Sequence, residues 1–219
     1  RLPSDSRLFS FCLFKLADKQ FVWHHLYHHI IVDGFGYSLI ARRVAELYSD
    51  MIQGRALSQP WFAPLSQLLN AEAEYQSSAE FESDRGFWSA YLSRLPQPAR
   101  FGGESRGSPA GRPVRRSCRI EGNTVSALSM LAQDAETTLT RVLIATVAAY
   151  LFRATGTRDL SVALPVSGRS KATRLIPCMM SNTLPMRLSV SPEMTLQEIA
   201  RVVDEEIKYI TPHNKYPAS

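Results

Sequence analysis

From Gln20 the chain reads QFVWHHLYHHIIVDGFGYSLIARRVAELYSDMIQG, and its character changes halfway along. The run QFVWHHLYH at 20–28 is crowded with aromatic and β-branched side chains, which favour a strand, and it leads directly into HHIIVDG. After the Asp33–Gly34 step, Ile40, Val44, Leu47, Tyr48 and Met51 recur at helical spacing, and Gly54 stands where a helix commonly stops. A strand that gives way to a helix across an Asp-Gly turn leaves the chain few alternatives. An earlier run, FSFCLFKL at 9–16, is separated from it by the turn-like ADK and predicts a neighbouring strand.

A second helical region is expected over roughly 64–93, with Leu65, Leu68, Leu69, Phe87, Trp88, Tyr91 and Leu92 as its apolar positions. The stretch PQPARFGGESRGSPAGRPVRR, residues 96–116, is dense in Pro, Gly and Arg and cannot bury enough apolar surface to offset its ordering entropy. It is the expected boundary between a first part, 1–95, and a second, 117–219. In the second part, TLTRVLIATVAAYLFRATG places Leu139, Val142, Leu143, Val147, Tyr150 and Leu151 on one stripe, with Gly156 as a stop. LSVALPV at 160–166 reads as a buried strand, and TLPMRLSV at 183–190 as an alternating one whose Pro185 suggests an edge or a bulge. Thr195 and Glu198 form a capping-box pattern ahead of a helix carrying Leu196, Ile199, Val203, Ile207 and Ile210. The sum is an α/β protein of two lobes.

An apolar content of 45% and a charged content of 21% describe an ordinary soluble globular chain. The longest apolar run, LIATVAAYLF, is too short to span a bilayer, and the first residues do not read as a signal peptide. Three scattered cysteines favour free thiols in a reducing compartment, so the cytoplasm is expected. The net charge of +5 lies largely in the 100–116 stretch and comes without an aromatic-and-basic recognition motif, so no nucleic-acid partner is expected.

Four of the five histidines fall in WHHLYHH. On a helix, His24 with His28 and His25 with His29 would be zinc-compatible pairs, but on a strand they divide between two faces, and no metal is expected. His29 stands apart because three apolar residues separate it from Asp33 and Gly34. The strand delivers an imidazole at its end, and the turn brings a carboxylate back towards the same level. An imidazole of ordinary pKa can accept a proton at neutral pH. The carboxylate could orient that imidazole, or tie down the turn by pairing with an arginine elsewhere. Glycine at 34 leaves a backbone N–H open to a developing oxyanion. These are parts for acyl transfer.

At these residues the sequence resembles a family. HHIIVDG matches the HHxxxDG motif of the condensation domains of nonribosomal peptide synthetases, within the superfamily similar to chloramphenicol acetyltransferase. ALPVSGRS resembles the family's strand ending in a Gly-Arg pair, IPCMMSNTLPMRLSV its N-T-L-x-x-R motif, and PHNKYP its H-Q-D-Y-P element. The family's opening motifs do not precede Arg1 and the segment after H-Q-D-Y-P is lacking, so the chain is expected to be the central portion of such a domain.

The resemblance implies a V-shaped α/β fold of two lobes, each with a mixed sheet flanked by helices, around a central tunnel. It implies amide-bond formation between an acyl or peptidyl thioester on an upstream carrier and the α-amine on a downstream one, with an adjacent adenylation domain. The phosphopantetheine arms would come from those carriers, and no cofactor is expected on the domain itself. His29 would be base or positioner, His28 would support the strand geometry, and Gly34 would supply an oxyanion donor. Asp33 would be structural, paired with Arg169 or with an arginine ahead of Arg1. Asn182 and Ser38 would line the tunnel, Asn182 being equally readable as a strand-end cap. Two departures stand out: Gly36 where D-G-x-S motifs carry serine, and Cys178 where the family usually has glycine. An epimerisation domain, a coenzyme-A-dependent acyltransferase of the superfamily and a non-catalytic carrier-docking fragment are the alternatives. Heterocyclisation is disfavoured, because such domains place an aspartate at one of the paired histidines.

Overall fold

The computed structural model describes residues 7–99 and 116–217. Most of the expected boundary at 96–116 lies outside them. The chain clusters into two compact units that interleave along the sequence. One takes the residues up to Glu82 together with Val166–Asn182, and the other takes Ser83–Pro165 and the residues from Thr183 onward.

In the first unit, β1 (Phe9–Ala17) and β2 (Gln20–Tyr27) form an antiparallel two-stranded sheet, with Phe11 opposite His25 and Leu13 opposite Trp23. The sheets expected to be mixed are two-stranded among the described residues, and this one is purely antiparallel because a tight turn reverses the chain between its strands. Helix α1 (Gly34–Ile52) follows, with Asp33 as its N-cap in extended conformation. It ends before Gly54, whose φ of +64° suits a residue without a Cβ. Asp50 then receives Arg55 and the Ser58 N–H, while the buried Arg43 donates to the hydroxyl and carbonyl of Ser58, so the connection after α1 folds back along it.

The helical region expected over 64–93 is two helices, α2 (Leu65–Gln76) and α3 (Ala79–Leu92), divided where Ser77 and Ser78 bond back to preceding carbonyls.

The second unit contains α4 (Gly122–Asp134), α5 (Leu139–Thr155), α6 (Leu196–Ile210) and most of the sheet of β3 (Asp159–Val166) and β4 (Asn182–Ser189). Strand β4 buries Leu184, Met186 and Leu188 in alternation, as its pattern predicts. Among the described residues it has one neighbouring strand, a setting that tolerates the missing N–H of Pro185. The stripe expected on α5 needs correcting. Its buried residues are Val142, Ala145 and Ala148, whereas Leu143, Val147 and Tyr150 are exposed. α5 packs chiefly against α6, and alanines on the contact face let two helices approach closely, so the small side chains turn inward. α4, which the periodicity did not reveal, buries only Ala132.

The chain after α6 is anchored to α3. Trp88 is almost fully buried and donates from its indole nitrogen to the His213 carbonyl at 2.9 Å. Asp84 pairs with His213 Nδ1 at 2.6 Å, and Phe87 stacks on the same imidazole at 3.7 Å. The Tyr91 hydroxyl bonds to Glu206 and accepts the Arg187 N–H. Burial and the neighbouring Glu206 carboxylate push the Tyr91 phenol far above its usual range.

At the start of α6 the Thr195 side chain accepts the Glu198 N–H and Glu198 reaches back to the Thr195 N–H at 2.7 Å. Thr195→Ala removes one half of this reciprocal cap and is expected to cost about 1 kcal/mol, read as a lower midpoint in urea with an unchanged slope.

Candidate functional site

The HHIIVDG segment lies wholly in the first unit, and its geometry follows from how β2 ends. His28 keeps the sheet register by one more bond, its N–H donating to the Leu8 carbonyl at 2.7 Å. The chain then turns, with Ile31 N–H returning to the His28 carbonyl and Ile30 N–H to His28 Nδ1 at 3.1 Å. That bond fixes Nδ1 of His28 as an acceptor and spends the imidazole on the turn. His29 follows within the turn and is exposed. The other two histidines divide as a strand requires: His25 sits half-buried beneath α1, and His24 is exposed. Among the described residues no three metal-ligating side chains converge.

Asp33 is the most heavily bonded side chain in the segment. Its Oδ1 accepts the Gly36 N–H at 2.8 Å, as an N-cap does. Its Oδ2 accepts Arg169 Nη1 at 2.6 Å, and the N–H groups of Met180 and Ser181 and the Ser181 hydroxyl at 3.0 Å each. Both partners of the ion pair are buried, Asp33 to 1% and Arg169 to 4% side-chain exposure. Arg169 donates a further bond to the Cys178 carbonyl at 2.7 Å, and its guanidinium lies over the Phe35 ring at 4.8 Å. Burial alone would raise the Asp33 pKa. The Arg169 guanidinium, the backbone N–H groups and Ser181 outweigh it and hold the carboxyl well below the usual carboxylate range. Of the two uses open to this carboxylate, the structure shows the second: it ties the turn to 169–181 and leaves the imidazoles alone.

Two glycines make that tether possible. A Cβ on Gly36 would meet Val32 Cγ2 at 2.8 Å and the Cys178 carbonyl oxygen at 2.9 Å. The two departures from the family pattern, Gly36 and Cys178, are therefore neighbours in space. Gly168 has φ +61°, and a Cβ there would lie 2.1 Å from the Met180 carbonyl oxygen. Gly34 is open on that side, with nothing within 4 Å of the position a Cβ would take. It is the first residue of α1, so its N–H is one of those a helix leaves unpaired at its positive end. Ser38 is exposed and spends its hydroxyl on the Phe35 carbonyl at 2.7 Å. Asn182 opens β4 directly after Ser181 and is half-buried. Burial pushes the Cys178 thiol up, away from nucleophilic use. A surface groove of about 430 Å³, lined by Arg42, Glu46, Asp50, Arg55 and Ser58 among others, contains none of the motif residues.

The condensation-domain family profile matches residues 1–219. The chain belongs to the condensation-domain family. As a condensation-domain chain it is 36% identical over 217 residues to an isonitrile lipopeptide synthase of Streptomyces coeruleorubidus, covering 95% of this chain and 14% of that protein. It is 33% identical to a dimodular nonribosomal peptide synthase of Bacillus subtilis strain 168, covering 95% of this chain and 9% of the other. Its structure superposes on the first condensation domain of the CDA synthetase with a TM-score of 0.85 at 33% identity, over 95% of this chain and 47% of that one. A mutant starter condensation domain of rhizomide synthetase in complex with C8-CoA gives 0.85 at 37% identity, over 97% of this chain and 48% of that one. The condensation-domain chain thus spans about half the length of these solved structures and a small part of the curated relatives.

Sequence reasoning named the motif residues but missed Ser181, which gives Asp33 two of its bonds, and the steric need for Gly168. The Gly-Arg pair was the available signal for the second. Asp33→Asn leaves Arg169 buried without a counter-charge and is expected to cost about 3–5 kcal/mol in chemical denaturation. The depressed Asp33 pKa gives a sign for pH: its contribution is complete above the unfolded carboxylate pKa of about 4 and is lost as pH falls below it towards the folded value. Acid unfolding of the wild type should therefore steepen below about pH 4, and a variant without this carboxyl should lose that dependence. Gly36→Ser, which restores the serine common in the family, should destabilise by about 1–3 kcal/mol because Cys178 presents backbone to the added atoms.

Proposed function

We propose that the chain carries the reaction centre of a domain that forms amide bonds in nonribosomal peptide synthesis. The donor is an acyl or peptidyl thioester on an upstream carrier, and the acceptor is the free α-amine of an aminoacyl group on a downstream carrier. The observation that carries this reading is the exposed His29 on a turn whose stem is fixed by a buried Asp33–Arg169 pair. The relatives named as a lipopeptide synthase and a peptide synthase agree with it.

In the proposed reaction the amine nitrogen attacks the thioester carbonyl, the carbonyl oxygen takes up the displaced electron pair, and collapse breaks the C–S bond. The nitrogen loses one proton and the departing sulfur gains one, so the step is balanced with no outside reagent. An α-amine of reference pKa about 8 is already partly neutral at pH 7, so its proton need leave only as the C–N bond forms. His29 accepts a hydrogen bond from that amine and takes up the proton, a contribution of about 10²–10⁴-fold. The Gly34 N–H, at the positive end of α1, would donate to the developing oxyanion. Holding two tethered substrates in register contributes as much or more. The phosphopantetheine arms belong to the carriers, and the domain is proposed to bind no cofactor of its own. An adenylation domain would load the acceptor carrier.

With donor and acceptor carriers loaded in vitro, wild-type protein is expected to give the amide product by mass spectrometry. His29→Ala should lower the rate by at least about 10²-fold. A wild-type rate in that variant removes His29 from the chemistry. Carrier binding without turnover, whatever stands at residue 29, would make the chain a docking module instead.

A further inference from the structure

The turn bearing His29 is anchored on its far side by Asp33, and in its middle by Met179 N–H donating to the Ile31 carbonyl at 3.0 Å. Neither contact acts on the β2 stem. A separate group of side chains does. Tyr37, on the first turn of α1, reaches back over the turn to His25 of β2. Its hydroxyl lies 2.6 Å from His25 Nε2, and its ring stacks on the imidazole at 4.6 Å and 28°. Trp23 covers the opposite face of the same imidazole at 4.1 Å and 23°. Tyr27 stands edge-on to both His25 and Tyr37, at 5.7 and 6.1 Å. His25 is thus clasped between two rings, and its Nδ1 and the Tyr27 hydroxyl oxygen are buried with no hydrogen-bond partner among the described residues. Leaving two polar atoms unpaired is costly. Rings stack on both faces of His25, and the bond to Tyr37 is the hydrogen bond its imidazole makes among the described residues.

The chain between these two residues contains the whole HHIIVDG segment. We infer that the His25–Tyr37 bridge is a staple across the stems of the His29 turn, making Tyr37 and His25 positioning residues for His29 in the proposed amide-forming reaction. Neither residue need touch the reacting atoms. Asp33 locks α1 to the 169–181 segment, whereas Tyr37 locks α1 to β2, so the turn is held at both ends. Tyr37 is 40% exposed. Removing its hydroxyl therefore opens no cavity in the core, and the bridge can be cut without dismantling the unit. The part of the inference that concerns catalysis rests on the proposed function, and the part that concerns the turn does not.

Tyr37→Phe deletes one oxygen and keeps the ring contacts. Hydrogen exchange at the amides of Ile30, Ile31 and Val32 is expected to quicken about 10-fold, with a thermal midpoint lowered by no more than about 4 °C. With loaded carriers, kcat should fall about 10-fold while KM for both carriers is unchanged, the signature of a misplaced catalytic group. His25→Gln, which keeps a polar partner for the Tyr37 hydroxyl, should retain more of kcat than His25→Phe, and that difference should vanish when Tyr37→Phe is also present. Unchanged exchange in Tyr37→Phe overturns the staple whatever the activity. Faster exchange with wild-type kcat, or a raised KM at wild-type kcat, overturns the positioning role. If the wild-type protein makes no amide, the proposed function falls, and the exchange result alone still decides whether the bridge holds the turn.

Discussion

Asp33 and Arg169 face each other across 136 residues of chain with almost no exposure to solvent. Either charge alone would be prohibitively expensive there. The pair is tolerated because Asp33 also accepts from the backbone of Gly36, Met180 and Ser181 and from the Ser181 hydroxyl, so neither carboxylate oxygen is left unpaired. This contact joins the turn after β2, the start of α1 and the returning segment 166–182 into one unit. It also accounts for the interleaving of the two units, since 166–182 is drawn back to the first by bonds to residues far earlier in the chain.

Fixing a turn by a buried charge imposes steric conditions nearby. The 178–181 segment must approach α1 closely enough for two of its N–H groups to reach one carboxylate oxygen, and that approach leaves no room for a Cβ at Gly36 or Gly168. The same arrangement separates structural from chemical work in the proposed reaction. Asp33 is saturated by its own partners and does not bond to an imidazole, His28 is committed to the turn, and His29 stays exposed at its crest. A carboxylate held ionised well below neutrality contributes rigidity throughout the pH range in which an imidazole titrates.

Much of the architecture could be read along the chain. The two strands of the hairpin, the alternation Leu184, Met186, Leu188, and the Thr195–Glu198 cap all declare themselves through local spacing. α5 shows where such reading stops. Its large apolar residues form a tidy stripe in the sequence, yet Ala145 and Ala148 are the ones buried, because closeness to α6 decides which face is covered. α4 escaped notice because it buries a single alanine, and a helix with so small a buried face has little periodicity to detect. The site divides the same way. HHIIVDG was legible because its residues are contiguous, and Arg169 because ALPVSGRS resembles the Gly-Arg stretch of the family. Ser181, the close approach at Gly168 and the clasp of Tyr37 on His25 depend on distances between segments that no spacing rule encodes.

The amino-acid order by itself determined the strand, the turn and the helix around Asp33, since these follow from side-chain shape, hydrogen-bonding capacity and period acting over a few residues. It also carried the motif that marks the condensation-domain family. Only the tertiary structure decided which carboxylate oxygen meets which donor, which histidine stays free, and which helix face is hidden. Those outcomes are set by the free energy of burying charge and apolar surface between segments separated along the chain, a quantity that exists only once the segments have met.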